Sequence, residues 1–349
     1  MAVYPTVAIT IVTFNSAPFI GQCLQYVFKQ DYPALQVVIV DNASRDETPA
    51  ILEQFEHEAK IVYNERNVGF AAGQNQAMRM SPADWWLALN PDVRLTPHFL
   101  SSLVSAGEAD SAVGSVCGKL LGMADNFQIP AEPVLDSTGI FFTPNLRHFD
   151  RGNGLADHGQ YQQFEFVFGA TGAACLYRQR MMEDIAIRGE FFDNDFFAYR
   201  EDADLAWRAQ LYGWKCLYTP QAVAYHVRRV TPEKRSSLPA LINMHSVKNR
   251  WLMRIKNCTA DLYRRHFQAI TLRDCVVIAG CLLREFRSLR AFVIVVRLWK
   301  RTWEKRRIIM QKRRATNEYV AAWFAEKPVS LPAGEIAQKL NPERFSFHD

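Results

Sequence analysis

The chain has 349 residues, a hydrophobic content of 49% and a formal net charge of +5. That length suits one large catalytic domain with a smaller appendage, and the composition excludes a largely disordered protein. The seven cysteines include no Cys-x-x-Cys pair, which argues against a disulfide framework or a structural zinc site and favours a reducing cytoplasm.

The charged residues are unevenly divided along the chain. Residues 1–227 contain 15 Lys and Arg against 26 Asp and Glu, whereas residues 228–314 contain 23 against 5. The acidic part has the composition for holding a cation, and the basic part is expected to bind phosphate groups on a membrane surface or on a nucleic acid. Neither an export signal nor a membrane span is expected, because the N-terminus lacks the required pattern and no apolar window reaches roughly 18 residues.

Short apolar runs and helical patterns alternate in the N-terminal part. The β-branched run Val7 to Val12 is too brief for a helix and predicts the first strand, and similar runs at 37–40, 61–63 and 85–89 predict three more. Helices are predicted between them, one with Pro18 near its start, one from Asp46 to Glu58 and one from Phe70 to Met80. The alternation predicts an α/β fold with a parallel sheet and right-handed crossovers.

The middle of the chain is less regular. Residues 107–165 are rich in Gly, Pro, Asp and Asn, and only the runs 113–117 and 139–142 resemble strands. Order returns over 166–177, where the small residues 169–174 would let a backbone or a ligand approach closely. A helix over 201–212 and a last strand from Ala222 to His226 complete the predicted domain.

Polar and acidic clusters follow several of the apolar runs. They are Asp41-Asn42-Ala43-Ser44, Asn90-Pro91-Asp92, Phe192-Asp193 and Glu201-Asp202-Ala203-Asp204. Acids at the ends of parallel strands collect in one crevice, where a metal, a diphosphate and a base can be held together. The sequence therefore predicts an enzyme.

Five motifs in order along the chain resemble those of glycosyltransferase family two. They are Thr13-Phe14-Asn15, the segment Asp41 to Asp46, the segment Asn67 to Asn75, Asn90-Pro91-Asp92, and Glu201 to Leu205. The resemblance covers roughly residues 6–255 and is nearest to the bacterial rhamnosyltransferases that use dTDP-rhamnose. It implies a GT-A nucleotide-sugar-binding fold with a mostly parallel central sheet, a divalent metal and inversion at the anomeric carbon.

The donor site is expected around Asp41. Its carboxylate could accept the imide N–H of uracil or thymine, while Asn42 and Ser44 contact polar groups; alternatively, Asp41-Asn42 is a turn that caps the next helix. Gly69 and Gly73 would let the backbone approach the sugar nucleotide, or else allow close packing of helix on sheet. The resemblance adds further donor contacts, at Thr13, Asn15, Asn67, Asn75 and Asn90.

Asp92 is the expected metal ligand, because the family's usual Asp-x-Asp is here Asn-Pro-Asp. Mg²⁺ or Mn²⁺ needs only one or two protein carboxylates when diphosphate oxygens and waters complete the octahedron. His226, at the end of its strand, is a second candidate ligand and would favour Mn²⁺. An ordinary loop turn at 90–92 and a structural histidine are the alternatives.

Three acids open the predicted helix at Glu201. Asp204 is spaced for an i, i+4 pair with Arg208, which leaves Asp202 as the candidate base and Glu201 as the runner-up. Crowded like charges and partial burial raise a carboxylate's pKa, which helps it to accept a hydroxyl proton near neutral pH. An acceptor wall is expected near this base, with core packing as the alternative; its residues are Gly169, Asp193, Tyr199 and Trp207.

The basic region is expected to form amphipathic helices. Tryptophans amid arginines, with apolar runs at 275–283 and 291–296, are typical of helices in the headgroup layer of an anionic membrane. The alternatives are packing on the catalytic domain or in a homodimer; nucleic-acid binding is not expected, since no recognition module is present. We expect a catalytic domain over 1–227, a basic helical membrane-associating region over 228–325 and a tail over 326–349.

The expected reaction transfers rhamnose from dTDP-rhamnose to a hydroxyl of a glycan or polyprenyl-linked saccharide, in the cytoplasm at the inner face of the cell membrane. UDP-galactofuranose and UDP-glucose are alternative donors. A nucleotidyltransferase would show a glycine-rich, basic signature near the N-terminus, which is missing here. A non-catalytic membrane-binding module is the alternative from another class.

Overall fold

The computed structural model describes residues 4–228 and 240–340, with an eleven-stranded sheet at its centre. The strands are β1 (Val7–Thr13), β2 (Leu35–Asp41), β3 (Lys60–Tyr63), β4 (Trp85–Leu89), β5 (Val93–Leu95), β6 (Val113–Gly122), β7 (Leu135–Ser137), β8 (Ile140–Phe142), β9 (His148–Asp150), β10 (Glu165–Val167), β11 (Ala174–Arg178), β12 (Lys215–His226) and β13 (Leu331–Pro332). Strands β8 and β9 form a separate hairpin.

The helices lie between and after these strands. They are α1 (Ala17–Val27), α2 (Thr48–Glu53), α3 (Phe70–Arg79), α4 (Phe99–Glu108), α5 (Gln179–Ile185), α6 (Glu201–Leu211), α7 (Ala240–Asn257), α8 (Ala260–Arg265), α9 (Phe267–Leu283), α10 (Arg290–Lys312), α11 (Asn317–Ala322) and α12 (Gly334–Lys339). Two short 3₁₀ helices cover Asn194–Phe196 and Phe286–Leu289.

The centre of the sheet runs in the order β3-β2-β1-β4-β11-β6-β12. All of these strands point the same way except β11, which is antiparallel to both neighbours. The mostly parallel sheet expected from the sequence is confirmed. Strands β1 and β4 are buried along their whole length, which is why they appear in the sequence as unbroken apolar runs.

Two predicted elements have different limits in the structure. The helix expected from Asp46 to Glu58 is only α2, Thr48–Glu53, and turns follow it. The last strand begins at Lys215 rather than Ala222, and its pairing with β6 shifts register between Tyr218 and Val223. Pro220 lies inside this shift; a proline has no N–H to donate, so a bulge is the way a strand accommodates it.

The C-terminal helices are not a free appendage. Helix α7 packs on α6 and α10, and after α11 the chain returns to the catalytic domain. The ring of Phe324 lies 4.9 Å from that of Trp207, and β13 pairs with β10, Leu331 opposite Phe166. Residues 331–340 were assigned to a tail from the sequence. In the structure β13 extends the main sheet, and Ile336 and Leu340 enter its core. Within the described ranges, no helix combines the length and the apolar character needed to cross a membrane.

Candidate active site

The predicted acids come together at one edge of the sheet. Asp41 ends β2 beside Thr13 at the end of β1, and Asn90 follows β4, the other neighbour of β1. Because β11 runs the opposite way, its first residues reach this same edge: the N–H of Asn90 donates to the carbonyl of Ala173 (2.8 Å). One residue earlier, the N–H of Gly172 donates to Asp202 Oδ2 (2.8 Å). Donor, metal and base candidates thus share the carboxyl edge of β2, β1 and β4.

Asp41 is held by groups of two neighbouring loops. Its Oδ1 accepts hydrogen bonds from the hydroxyls of Thr13 (2.8 Å) and Ser44 (2.5 Å), and its Oδ2 accepts the N–H of Ser44 (2.9 Å). The loops are also tied to each other, since Asn15 donates its N–H to Ser44 Oγ and accepts the N–H of Arg45. An ionised carboxylate offers about four acceptor positions, so about one remains, on Oδ2.

These contacts change the expected roles of two donor residues. Thr13 is fully buried and its hydroxyl donates to Asp41, so this side chain positions Asp41. Asn42 is 1% exposed, donates to the carbonyl of Gly69 (3.1 Å) and accepts from Asn64 (2.9 Å). Its side chain holds the loop before α3, and its contact with the donor stays a prediction.

The glycine segment also serves packing. A Cβ on Gly73 would lie 2.9 Å from the side chain of Val12, so close approach of α3 to β1 requires this glycine. Gly69 has a φ of 87°, and a Cβ there would lie 2.6 Å from Phe197. The alternative of helix-on-sheet packing is therefore correct for Gly73, and Gly69 combines a left-handed turn with a contact to the loop before α6.

Asn67 and Asn75 are engaged within the protein. Asn67 accepts the N–H of Gly69 (2.8 Å) in a tight turn. Asn75 is fully buried; it donates to the carbonyl of Phe192 and to Asn194, and accepts the N–H groups of Phe191 and Phe192. Asn75 therefore joins α3 to the loop before α6, and its contact with the donor stays a prediction.

Asp92 and His226 lie together, with His226 Nε2 3.5 Å from Asp92 Oδ1. That carboxylate oxygen is buried and accepts no hydrogen bond within the described residues. On the other side of the ring, His226 Nδ1 is 2.8 Å from Asp136 Oδ2, the arrangement in which a second carboxylate orients a metal-binding imidazole. No group of three or more His, Cys, Asp or Glu suited to a metal occurs in 4–228 and 240–340. Asp92 and His226 fit an ion that takes its other ligands from a diphosphate and water.

The charged neighbours of His226 change its pKa. Burial opposes the charged imidazole, but Asp136 and then Asp92 outweigh burial and raise the pKa of His226 to about 10. Arg228 bonds Asp136 as well and forms an ion pair with Asp150 Oδ2 (2.7 Å). Although burial acts the other way, His226 and Arg228 keep the pKa of Asp136 well below its usual range.

Asp136, Asp150 and Arg228 were missed at the sequence level. The first two lie in the irregular segment 107–165, on β7 and β9, and no periodic pattern marks them. Arg228 had one signal, its place two residues after His226 at the end of the last strand. The sequence separation of 90 between Asp136 and His226 hides their pairing.

The base candidates open α6. Asp202 accepts the N–H of Gly172 through Oδ2 and its neighbour Ala203's N–H through Oδ1 (2.7 Å). Burial raises the pKa of Asp202, the Gly172 N–H offsets part of the rise, and Asp150 adds to it. Burial, followed by repulsion from Asp202, raises the pKa of Glu201 to about 8, and the buried Glu201 Oε2 accepts no hydrogen bond among the described residues. Glu201 is thus mostly protonated at neutral pH, which favours Asp202 as the candidate base.

Asp204 is structural, as the i, i+4 spacing predicted. It pairs with Arg208 (3.1 Å), and both side chains are fully buried. Lys256 and Asn257 of α7 also donate to Asp204 (2.9 and 2.8 Å). Asp204 therefore fastens α6 to the C-terminal helices.

Three of the four expected acceptor residues belong to the interior. Trp207 is fully buried against Phe324, and a Cβ on Gly169 would lie 2.3 Å from that of Ala206. Asp193 is 3% exposed and forms ion pairs with lysines of α7 and α10. For these the core-packing alternative holds. Tyr199 is partly exposed and lies three residues before Asp202, so it remains an acceptor-site prediction.

The turn before α6 has a strained backbone. Phe197, Tyr199 and Arg200 have φ values of 66°, 72° and 69°, which side-chain-bearing residues rarely adopt. Asn249 of α7 is fully buried, and its Nδ2 donates to three carbonyls of this turn. They are those of Phe196 (2.9 Å), Ala198 (2.8 Å) and Tyr199 (2.7 Å). The C-terminal helices thus help to set the position of Asp202.

Comparison with known proteins agrees with this geometry. An N-acetylglucosaminyl-diphospho-decaprenol L-rhamnosyltransferase of Mycobacterium tuberculosis is 24% identical over 242 residues, covering 64% of this chain and 76% of that protein. The succinoglycan biosynthesis protein ExoO of Rhizobium meliloti is 24% identical over 64% of this chain and 61% of its own length.

Solved structures show the same architecture. The mannosyltransferase PcManGT of Pyrobaculum calidifontis, solved with GDP-mannose and Mn²⁺, superposes with a TM-score of 0.51 at 17% identity, covering 88% of this chain and 86% of that one. The likeness shows the GT-A fold expected from the motifs. The family model for glycosyl transferase family 2 matches residues 8–185, more than half of the 349 residues. The chain therefore belongs to glycosyl transferase family 2 and is a glycosyltransferase.

Proposed function

We propose that the chain is an inverting, metal-dependent glycosyltransferase of cell-surface polysaccharide synthesis. It moves a sugar, with rhamnose favoured, from a nucleoside diphosphate to a hydroxyl of a glycan or polyprenyl-linked saccharide. The observation that carries the proposal is the convergence of Asp41, Asp92 and Asp202 at one sheet edge. The similarity to the rhamnosyltransferase supports the sugar, and the similarity to the succinoglycan biosynthesis protein ExoO supports the polysaccharide product.

Asp41 is proposed to recognise the base of the donor. Its remaining acceptor position on Oδ2 suits the imide N–H of thymine or uracil. The network from Thr13, Asn15 and Ser44 orients the carboxylate for that bond. Because both bases carry this N–H, Asp41 accepts dTDP- and UDP-sugars alike, and UDP-galactofuranose and UDP-glucose remain alternatives to dTDP-rhamnose.

Asp92 and His226 are proposed to hold Mg²⁺ or Mn²⁺, with Asp136 orienting the imidazole. When bound, the ion supplies stabilisation for the negative charge that gathers on the leaving diphosphate. The Mn²⁺ present with GDP-mannose in PcManGT supports a divalent ion. Since the chain offers two ligands, the free protein is expected to bind metal weakly and the donor to strengthen the binding.

Asp202 is proposed to be the general base. The N–H of Gly172 fixes its Oδ2, and the raised pKa of Asp202 increases its proton affinity. Asp202 takes the proton of the acceptor hydroxyl as that oxygen bonds to the anomeric carbon, and the bond to the diphosphate breaks on the opposite face. A single displacement of this kind inverts the anomeric configuration.

The proposed partners are the nucleotide sugar, the saccharide acceptor and an anionic membrane surface at the cytoplasmic face of the cell membrane. The deciding experiment incubates the purified chain and Mn²⁺ with dTDP-rhamnose, UDP-galactofuranose and UDP-glucose separately. Calorimetry measures donor binding, and mass spectrometry detects transfer to a polyprenyl-diphosphate-linked N-acetylglucosamine. Binding and transfer with dTDP-rhamnose are expected. If none of the donors binds, the proposal is refuted. If only a UDP-sugar is transferred, that sugar takes the place of rhamnose as the assigned donor.

A further inference from the structure

Helix α9 leaves an apolar face without a partner in the described structure. Only Ile270 and Cys281 of its residues are buried, and they lie on the side that faces the protein. Leu272, Val276 and Leu283 are 69%, 52% and 83% exposed and, at about 100° per residue, lie on the opposite side of the helix. An exposed apolar stripe of this kind marks an interaction surface.

Helix α10 continues this surface. Its buried Ala291 and Val295 face the protein, whereas Val296, Trp299 and Trp303 follow each other at helical spacing and are exposed. The two tryptophan rings stack, with centroids 5.9 Å apart. Between the helices, Phe286 in the connecting 3₁₀ turn is 74% exposed. We call these exposed side chains of α9, the turn and α10 the apolar face.

The charges around the apolar face select its partner. Residues 267–312 contain 11 Lys and Arg against 3 Asp and Glu. Four exposed arginines lie close in sequence to Leu283, Phe286 and Val296, and none forms an ion pair within 4–228 and 240–340; they are Arg284, Arg287, Arg290 and Arg297. Apolar and tryptophan side chains bordered by arginines fit the boundary between acyl chains and anionic headgroups.

We infer that the apolar face docks on an anionic lipid bilayer, with Leu283 and Phe286 at the deepest point. Arginine stems lie along the apolar surface while their guanidinium groups reach the lipid phosphates. A second copy of the chain is a poorer occupant, because a shared interface would bring like-charged arginines together. The inference deepens the proposed function, on which it rests for its purpose. Helix α7 connects this face to the turn that precedes Asp202, so docking would bring the active site to the membrane that holds a lipid-linked acceptor.

The test measures co-sedimentation with vesicles, without donor or acceptor, so that its outcome is independent of the transfer reaction. Vesicles of phosphatidylcholine alone are compared with vesicles in which about a third of the lipid is phosphatidylglycerol. The native chain is expected to bind the anionic vesicles and to lose much of this binding at high salt. Leu283→Asp/Phe286→Asp should lower the partition coefficient at least about tenfold.

A matched control is Leu155→Asp, an equally apolar side chain that is 53% exposed in the acidic part of the protein; its vesicle binding should equal that of the native chain. Because all three positions are exposed, thermal unfolding should be unchanged in both variants, which shows that they fold. Native failure to bind anionic vesicles, or equal binding by the double variant, overturns the inference. A native dimer in sedimentation equilibrium that the double variant dissociates, without vesicle binding, would assign the face to a second copy.

Discussion

Helices α7 and α9 come from the same basic region, yet the structure uses them in opposite ways. Ten residues of α7 are buried, among them Lys248, Asn249 and Lys256. Only two residues of the more apolar α9 are buried. Polar side chains of α7 are inside because the catalytic domain supplies their partners, Asp193 and Asp204 for Lys256. Hydrophobicity alone therefore did not decide which helix is buried, because the polar side chains of α7 also required partners of complementary charge in the catalytic domain.

The same comparison explains why the charge is divided unevenly along the chain. Part of the positive charge after residue 228 neutralises acids before it: Lys305 pairs with Asp193 and Asp195, and Arg301 pairs with Asp195 (3.0 Å). Four exposed arginines instead lie beside the apolar face, at positions 284, 287, 290 and 297. Helix α7, the inner helix, thus supports the catalytic domain. The outer helices α9 and α10 carry the apolar face on their exposed sides, although Arg301 and Lys305 of α10 also pair with the catalytic domain. Variants in α7 should therefore change stability or catalysis, whereas variants in the apolar face should change vesicle binding.

The largest effect is expected at Asp202, which follows the turn that α7 holds in place. Asp202→Asn keeps the shape of the side chain but cannot accept a proton, so kcat should fall by about 10²–10⁴-fold while donor binding stays nearly unchanged. Steady-state kinetics and calorimetry measure the two quantities. Glu201→Gln is the matched comparison and should lose less activity, since Glu201 is already mostly protonated at neutral pH. Full activity of Asp202→Asn would reject this base.

Lys256→Met tests whether charge pairing holds α7 in place. The lysine is fully buried between Asp193 and Asp204, so its removal leaves buried carboxylates short of a partner and should cost about 3–5 kcal/mol of unfolding free energy. Urea unfolding gives the value. The control is the exposed Lys300→Met of α10, expected within about 0.5 kcal/mol of the native chain. Equal stability of the two variants would contradict the contrast between inner and outer helices.

Stability should also depend on pH through Glu201. Its pKa is raised from 4.5 to about 8 in the folded chain, so the folded state binds the proton more tightly than the unfolded state. Glu201 therefore stabilises the fold fully below about pH 4.5, and this contribution is lost as the pH rises to about 8, by an amount on the order of a few kcal/mol. Glu201→Gln should show a flatter decline in urea unfolding across that range. Parallel pH curves for both proteins would show that Glu201 is not the source.

Asn249→Ala should give the smallest of these effects. The change removes the amide that donates hydrogen bonds to three carbonyls around the strained turn. We expect the activation free energy to rise by about 1–2 kcal/mol, which lowers kcat about tenfold, with little change in the KM of the sugar nucleotide. A displaced Asp202 should also alter the acidic limb of the pH–kcat profile, which a purely stabilising contact would not. Leu241→Ala, an exposed change on the same helix, is the control. An unchanged kcat and pH profile would show that α7 does not position the base.

Much of the fold could be predicted from local pattern. Strands buried on both faces must be apolar throughout, so β1, β2 and β4 were visible as runs, and their order with the helices implied a parallel sheet. The reversal of β11 and the return of β13 to the sheet were not visible. Both depend on pairing between segments far apart in the chain, for which a short strand carries no local mark.

The order of residues is enough to show that acids follow the strands of a parallel sheet, and the geometry of such a sheet brings them to one edge. Which polar side chains remain available there depends on contacts between distant parts of the chain. Asn42, Asn75 and Asp193 occupy motif positions but are used up by buried partners, whereas Asp136 and Asn249 lie outside every motif and hold His226 and the turn before Asp202. The reason is physical: a buried polar group must find a partner, and that partner is chosen by proximity in space, which residue spacing does not encode.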